Sequence, residues 1–124
     1  MLIFIFLSMI FLHIIDDYVL QPACLSKLKQ KKFWEANAPN KLYKNDYKMA
    51  LLMHGFSWAF MTMLPIAIYQ GFDVGVNFLF AFILNTICHS VIDDTKANKE
   101  KINLIADQFI HLIQIAVTFI VLMI

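Results

Sequence analysis

Met1–Leu20, MLIFIFLSMIFLHIIDDYVL, is a nearly unbroken run of Leu, Ile and Phe that carries His13, Asp16 and Asp17 in its second half. As a helix it is about 30 Å long, the thickness of a bilayer's hydrocarbon core. A secretory signal would begin basic and end at small residues before a cleavage site. This run does neither, and its two acids argue against one. It reads as a first transmembrane helix, with Pro22 marking its end. Ionisable groups inside such a segment are costly and usually functional.

The rest of the chain fits that beginning. Its 124 residues are 60% hydrophobic and 15% charged, with a mean hydropathy of +0.68. A soluble domain is about 45–50% apolar and about 25% charged. The length suits one domain, residues 1–124. The net charge of +1 leaves no footprint for nucleic acid. All ten basic residues are lysine. A bidentate arginine clamp for phosphate is therefore absent, and lysine meets phosphate only as a point charge. Cys24 and Cys88 lie far apart in sequence and read as free thiols.

Residues 23–47 differ in kind. Lys27, Lys29, Lys31, Lys32, Lys41 and Lys44 alternate with Trp34, Tyr43 and Tyr47. Leu25, Leu28, Phe33 and Trp34 suggest one face of a short interfacial helix. The plain reading is a basic tether on anionic headgroups. The sharper one is a lid that positions a charged substrate. Asn45 or Asp46 is expected to cap a second span over 48–69, with Pro65 as a kink site. Residues 70–73 form a turn without lysine, and 74–95 span again. Lys96–Lys101 is a short basic loop, and Asn103 is placed to cap a last helix running to Ile124. The expected fold is all-α: a four-helix transmembrane bundle with a short interfacial segment between helices one and two. Both lysine-bearing loops then share one side, the cytoplasmic one by the positive-inside rule.

Three phrases recur at the ends of these spans: His13-Ile-Ile-Asp16-Asp17, His89-Ser-Val-Ile-Asp93-Asp94 and Asp107-Gln-Phe-Ile-His111. A histidine and a carboxylate four residues apart share a helix face. The last helix runs opposite to the first and third, and its phrase is reversed, which restores the same order in depth. His54 enters the second span roughly 10 Å from the same side. One histidine per helix therefore falls in one layer, with Asp17, Asp93 and Asp107 in a second layer nearer the cytoplasm. Unrelated core histidines would not be expected to sort in this way. From His89, Asp93 lies about 40° round the helix and Asp94 about 140°, so Asp94 faces the boundary. Asp16 and Asp17 flank the same face, and either suits the site.

Four histidines with three or four carboxylates make a ligand set for one or two divalent ions, zinc first among them. The metal residues expected are His13, Asp17, His54, His89, Asp93, Asp107 and His111. Asp17, Asp93 and Asp107 are also candidates for proton transfer, and Lys96 for stabilising developing negative charge. A plainer reading makes the His–Asp pairs interhelical hydrogen bonds that hold the bundle together. A third makes them an ion path, against which the polar groups stop at mid-membrane.

His13-x-x-x-Asp17-Tyr-x-Leu-Gln21, His54 opening the second span, His89-x-x-x-Asp93-x-x-Lys96 and Asp107-Gln108-x-x-His111 resemble the small bacterial and phage membrane proteins known as domain of unknown function 3307. The resemblance covers nearly the whole chain. It implies a four-helix membrane domain in a bacterial inner membrane and no settled activity. More distantly, the phrases are similar to those of families labelled membrane-bound metal-dependent hydrolases. The function expected is metal-dependent hydrolysis of an amphiphilic or membrane-associated substrate, with the lipid bilayer as the standing partner. The alternatives are ion or solute transport through a homo-oligomer and a non-catalytic structural or regulatory module.

Overall fold

The computed structural model describes residues 1–124 and is all-helical. Helix α1 covers Leu2–Ile15 and continues as a π-helical turn over Asp16–Leu20. Two short helices follow, α2 (Ala23–Leu28) and α3 (Lys31–Asn37), then a 3-10 turn over Lys41–Tyr43. The long helices α4 (Asp46–Tyr69), α5 (Val76–Ala97) and α6 (Leu104–Met123) complete the chain. Four stretches, Leu2–Leu20, Lys41–Tyr69, Val76–Ala97 and Leu104–Met123, are long and apolar enough to cross a membrane. Helices satisfy their own backbone groups, which a bilayer interior requires.

The expected single interfacial helix is instead two helices broken at Lys29–Gln30. Trp34 Nε1 donates to the Leu28 carbonyl across that break. Asn98, just beyond α5, clamps the junction: its Oδ1 accepts from Lys31 N, and its Nδ2 donates to Lys29 O and Asp94 Oδ1. Asn103 caps α6 as its position suggested, accepting from Ala106 N. Asn45 precedes α4 without a side-chain capping bond.

Helix α4 packs on both α1 and α5 and is the most enclosed of the four. Gly55 sets its approach to α5. A Cβ there would stand 2.6 Å from the Thr86 carbonyl oxygen. Ser90 Oγ fills the space and bonds the carbonyls of Leu51 and Thr86. Small residues permit such close helix contact within lipid. The contact lies beside His54 and His89, whose rings come to 5.0 Å.

Away from the lysine loops the bundle is filled by Ile5, Met9, Trp58, Met63, Ile66, Phe78 and Ile115. Phe4, Phe60 and Phe80 do not join them; they are 72%, 52% and 69% exposed and point outward. Ile3, Leu7, Phe11, Leu79, Ile83, Phe109 and Ile113 point outward with them. A soluble protein rarely leaves so much apolar surface bare, whereas lipid tails cover it at no cost.

Candidate metal centre

The four histidine rings lie together in the bundle, each 2% exposed or less. His89 is the centre of the group. It stacks on His111 at 4.2 Å and on the Trp58 indole at 4.4 Å. The carboxylates lie beside the rings as the i, i+4 spacing requires. His89 Nε2 is 3.7 Å from Asp93 Oδ1, and His111 Nε2 is 3.3 Å from Asp107 Oδ1. Contacts then cross between helices. His54 Nε2 stands 3.4 Å from Asp17 Oδ1 and 3.5 Å from Asp93 Oδ2. His111 Nε2 stands 3.5 Å from Asp93 Oδ1, and His89 Nε2 4.0 Å from Asp17 Oδ1.

Two overlapping triads result, Asp17–His54–His89 and His89–Asp93–His111, each with ligand atoms within 4.8 Å of one another. Zinc ligands about 2.0–2.1 Å from the ion stand about 3.3 Å apart on a tetrahedron. The His–Asp separations within the triads, 3.4–4.0 Å, would contract to meet that. Buried polar atoms normally have partners. Here both ring nitrogens of His89 and of His111 have none, nor do Asp17 Oδ1 and Asp107 Oδ1. A divalent cation could satisfy one nitrogen of each ring together with Asp17 Oδ1; the other nitrogen of each ring carries its proton.

The π-helical turn resolves the Asp16–Asp17 doublet. A wider turn rotates each residue less than an α-helix does, and such turns recur at functional sites. Both carboxylates consequently face the bundle. Asp17 points to the centre, while Asp16, 1% exposed, accepts from Ser57 Oγ and lies 3.7 Å from His54 Nδ1. Asp16 Oδ2, itself without a hydrogen-bond partner, stands behind His54, where a carboxylate could orient the imidazole of a metal ligand.

His13 departs from its expected place among the ligands. Trp58 Nε1 donates to its Nδ1 at 2.7 Å, and an indole can only donate. Its Nε2 therefore carries the proton and faces Gln108 Oε1 at 3.1 Å. With both nitrogens occupied, His13 belongs to a support chain. Gln108 Nε2 carries that chain on to Asp17 Oδ2 and Asp107 Oδ2. Asp107 lies outside both triads; its Oδ2 takes Lys96 Nζ at 2.8 Å. Lys96 thus meets a carboxylate at the edge of the centre. Asp94 turns away, to Asn98 and Lys99.

Sequence reasoning missed Lys29. The basic segment is more than a tether: Lys29, 5% exposed, sends Nζ to Asp93 Oδ2 and Gln21 Oε1, both at 2.6 Å. Nothing in its immediate sequence separates it from the neighbouring lysines. Trp58 and Ser57 were also missed, although Trp58 lies four residues after His54 and so shares its face. A 190 Å³ pocket reaches the centre from the side of the lysine loops, lined by Asp17, Gln21, Lys29, His54, Asp93 and Lys96 among others. Larger cavities of 480, 360, 300 and 240 Å³ lie elsewhere, and none of them is lined by a histidine or by a carboxylate of the centre.

Comparison with curated proteins and with solved structures returns no match. The family comparison does: residues 5–124 match the family described as protein of unknown function (DUF3307), and the chain belongs to that family.

Proposed function

We propose that the chain is a membrane-embedded metal-dependent hydrolase, with its centre open to the side of the lysine loops. The observation that carries this reading is the convergence of unpartnered His89 and His111 nitrogens and Asp17 Oδ1 beside a polar pocket. His54, His89 and His111 with Asp17 and Asp93 would hold one or two divalent ions, zinc first. Such ions lower the pKa of a bound water and polarise an ester oxygen. Asp16 orients His54, and the Trp58–His13–Gln108 chain fixes Asp17. Asp17 lines the pocket without a lysine partner, which makes it the carboxylate best placed to take a proton from water. Lys96 lines the same pocket and is placed to meet developing negative charge.

Purified protein is expected to hold one or two divalent ions per chain by elemental analysis, and His89→Ala, which cuts both triads, to lose most of them. Metal-free protein whose unfolding temperature ignores added zinc would instead favour polar pairs that only hold the bundle.

In the bacterial inner membrane that we propose as its setting, the positive-inside rule would turn the lysine loops, and the pocket with them, to the cytoplasm. A cysteine introduced at Asp73, in a variant lacking Cys24 and Cys88, should react with an impermeant thiol reagent added outside. One introduced at Asn98 should not. The reverse labelling would move the centre to the outer face.

A further inference from the structure

The pocket holds two cations, Lys29, to which the metal reading gives no role, and Lys96, which it places against developing negative charge. They come from different parts of the fold, Lys29 from the α2–α3 junction and Lys96 from the end of α5. Each is held against a carboxylate of the centre, Lys29 on Asp93 at 2.6 Å and Lys96 on Asp107 at 2.8 Å. Lys29 is buried, which is rare for lysine and costly without an anion.

Asp93 cannot serve both cations fully. Its Oδ1 faces His89 and His111, and its Oδ2 faces Lys29 and His54. An ion in the second triad would draw on the charge that Lys29 now pairs with. A dication and an ammonium would then flank one carboxylate in a low-dielectric setting, where unlike charges attract and like charges repel strongly. With one ion the carboxylates of Asp16, Asp17, Asp93 and Asp107 would balance it and both lysines; with an ion in each triad two positive charges would be left over, which an anion in the pocket would offset. Gln21 and Gln108, also on the pocket wall, add amide groups to the same space.

We infer that the pocket takes a phosphate ester, with its non-bridging oxygens shared between the metal, Lys29 and Lys96. The inference rests on the metal-dependent reading of the same centre. A tetrahedral anion presents oxygens in several directions at once, and separate lysines meet them as point charges where no arginine fork exists. Tyr18 and Leu104 line the pocket's rim and are 58% and 55% exposed, giving an apolar flank for the rest of an ester. In hydrolysis a water oxygen forms a bond to phosphorus as the bond from phosphorus to the alcohol oxygen breaks. One water proton passes through Asp17 to the leaving alcohol, the other stays on the phosphate product, and nothing is oxidised or reduced.

The test uses the full chain in phosphatidylcholine nanodiscs, loaded with zinc and counted by elemental analysis, with inorganic phosphate as the probe. Phosphate should raise the unfolding temperature of zinc-loaded protein, and acetate at equal concentration should not. Lys29→Gln should weaken phosphate binding by about 10- to 100-fold while zinc stays bound, since a hydrogen bond to a charged group is lost. Lys29→Arg, which keeps the charge, should stay within about threefold of the parent. Competition between phosphate and phosphatidic acid in the disc would make the ester a lipid; absence of competition would make it a soluble one. Zinc-loaded protein indifferent to phosphate, or Lys29→Gln binding phosphate as the parent does, overturns the proposal and leaves the metal reading standing. Protein that retains no zinc overturns both.

Discussion

Asp93→Ala is expected to lose the ion of the His89–Asp93–His111 triad and to abolish hydrolysis, lowering activity by more than about 100-fold, the upper range for losing even a supporting partner of a ligand. Asp93 approaches three histidines, His54, His89 and His111, as Asp17 approaches His13, His54 and His89. It also neutralises Lys29. Its removal leaves a buried ammonium with only Gln21 for company, and breaking one side of a buried pair costs about 3–5 kcal/mol. Removing both charges should cost much less, because the desolvation of Lys29 disappears with them. Asp93→Leu with Lys29→Met should accordingly recover most of the unfolding temperature lost by Asp93→Ala, and none of the metal. A double variant as unstable as the single one would mean that Asp93 serves the fold by some contact other than its lysine. An Asp93→Ala protein that keeps its full metal content would remove Asp93 from the centre.

The helix spans and the converging histidines were legible because they rest on local periodicity. A span announces itself by length and apolarity, and the i, i+4 spacing of His89–Asp93 and Asp107–His111 fixes a shared face whatever the neighbours do. The distinctions among ligands were not legible, because they depend on contacts between helices. His13 has the same phrase as His89, yet a tryptophan from α4 and a glutamine from α6 occupy both its nitrogens. Asp16 and Asp17 were equivalent on an ideal α-helix, and only the local widening to a π-helical turn turns both inward. Lys29 reaches Asp93 across a sequence separation of 64 residues, through a junction held by Asn98. Periodicity carries no information about such pairings. Which phenylalanines face inward was not legible either: Phe6 packs on the apolar core while Phe4, Phe60 and Phe80 turn outward, and in lipid a large apolar residue is equally at home on either side.

The second large effect is expected at Trp58, which joins the centre to the apolar half of the bundle. It is 1% exposed, stacks on His89 and donates to His13, with Met63 and Ile115 in the same apolar cluster. Trp58→Ala should cost about 3–5 kcal/mol, the usual penalty for emptying a large aromatic site. Trp58→Phe keeps most of the volume and removes only the donor. It should cost about 1–3 kcal/mol, the penalty of a buried acceptor left unmade. It should also weaken metal binding, because His13, Gln108 and Asp17 form one chain from the indole onward. These magnitudes are read as shifts in thermal unfolding, with and without zinc. The same residue bears on transport. An alternating-access carrier needs polar groups or broken helices reaching the far face. Beyond Trp58 the bundle axis is closed by Met9, Met63, Ile66 and Ile115; the polar groups there are bonded within the protein, Thr62 to the Trp58 carbonyl and Asn85 to Thr118, Gln114 and the Met63 sulfur. Liposomes containing the parent protein should therefore show no zinc or proton flux above empty vesicles. Flux that vanishes with Asp17→Asn, Asp93→Asn or Asp107→Asn would make the histidine layer part of a path and displace hydrolysis as its function.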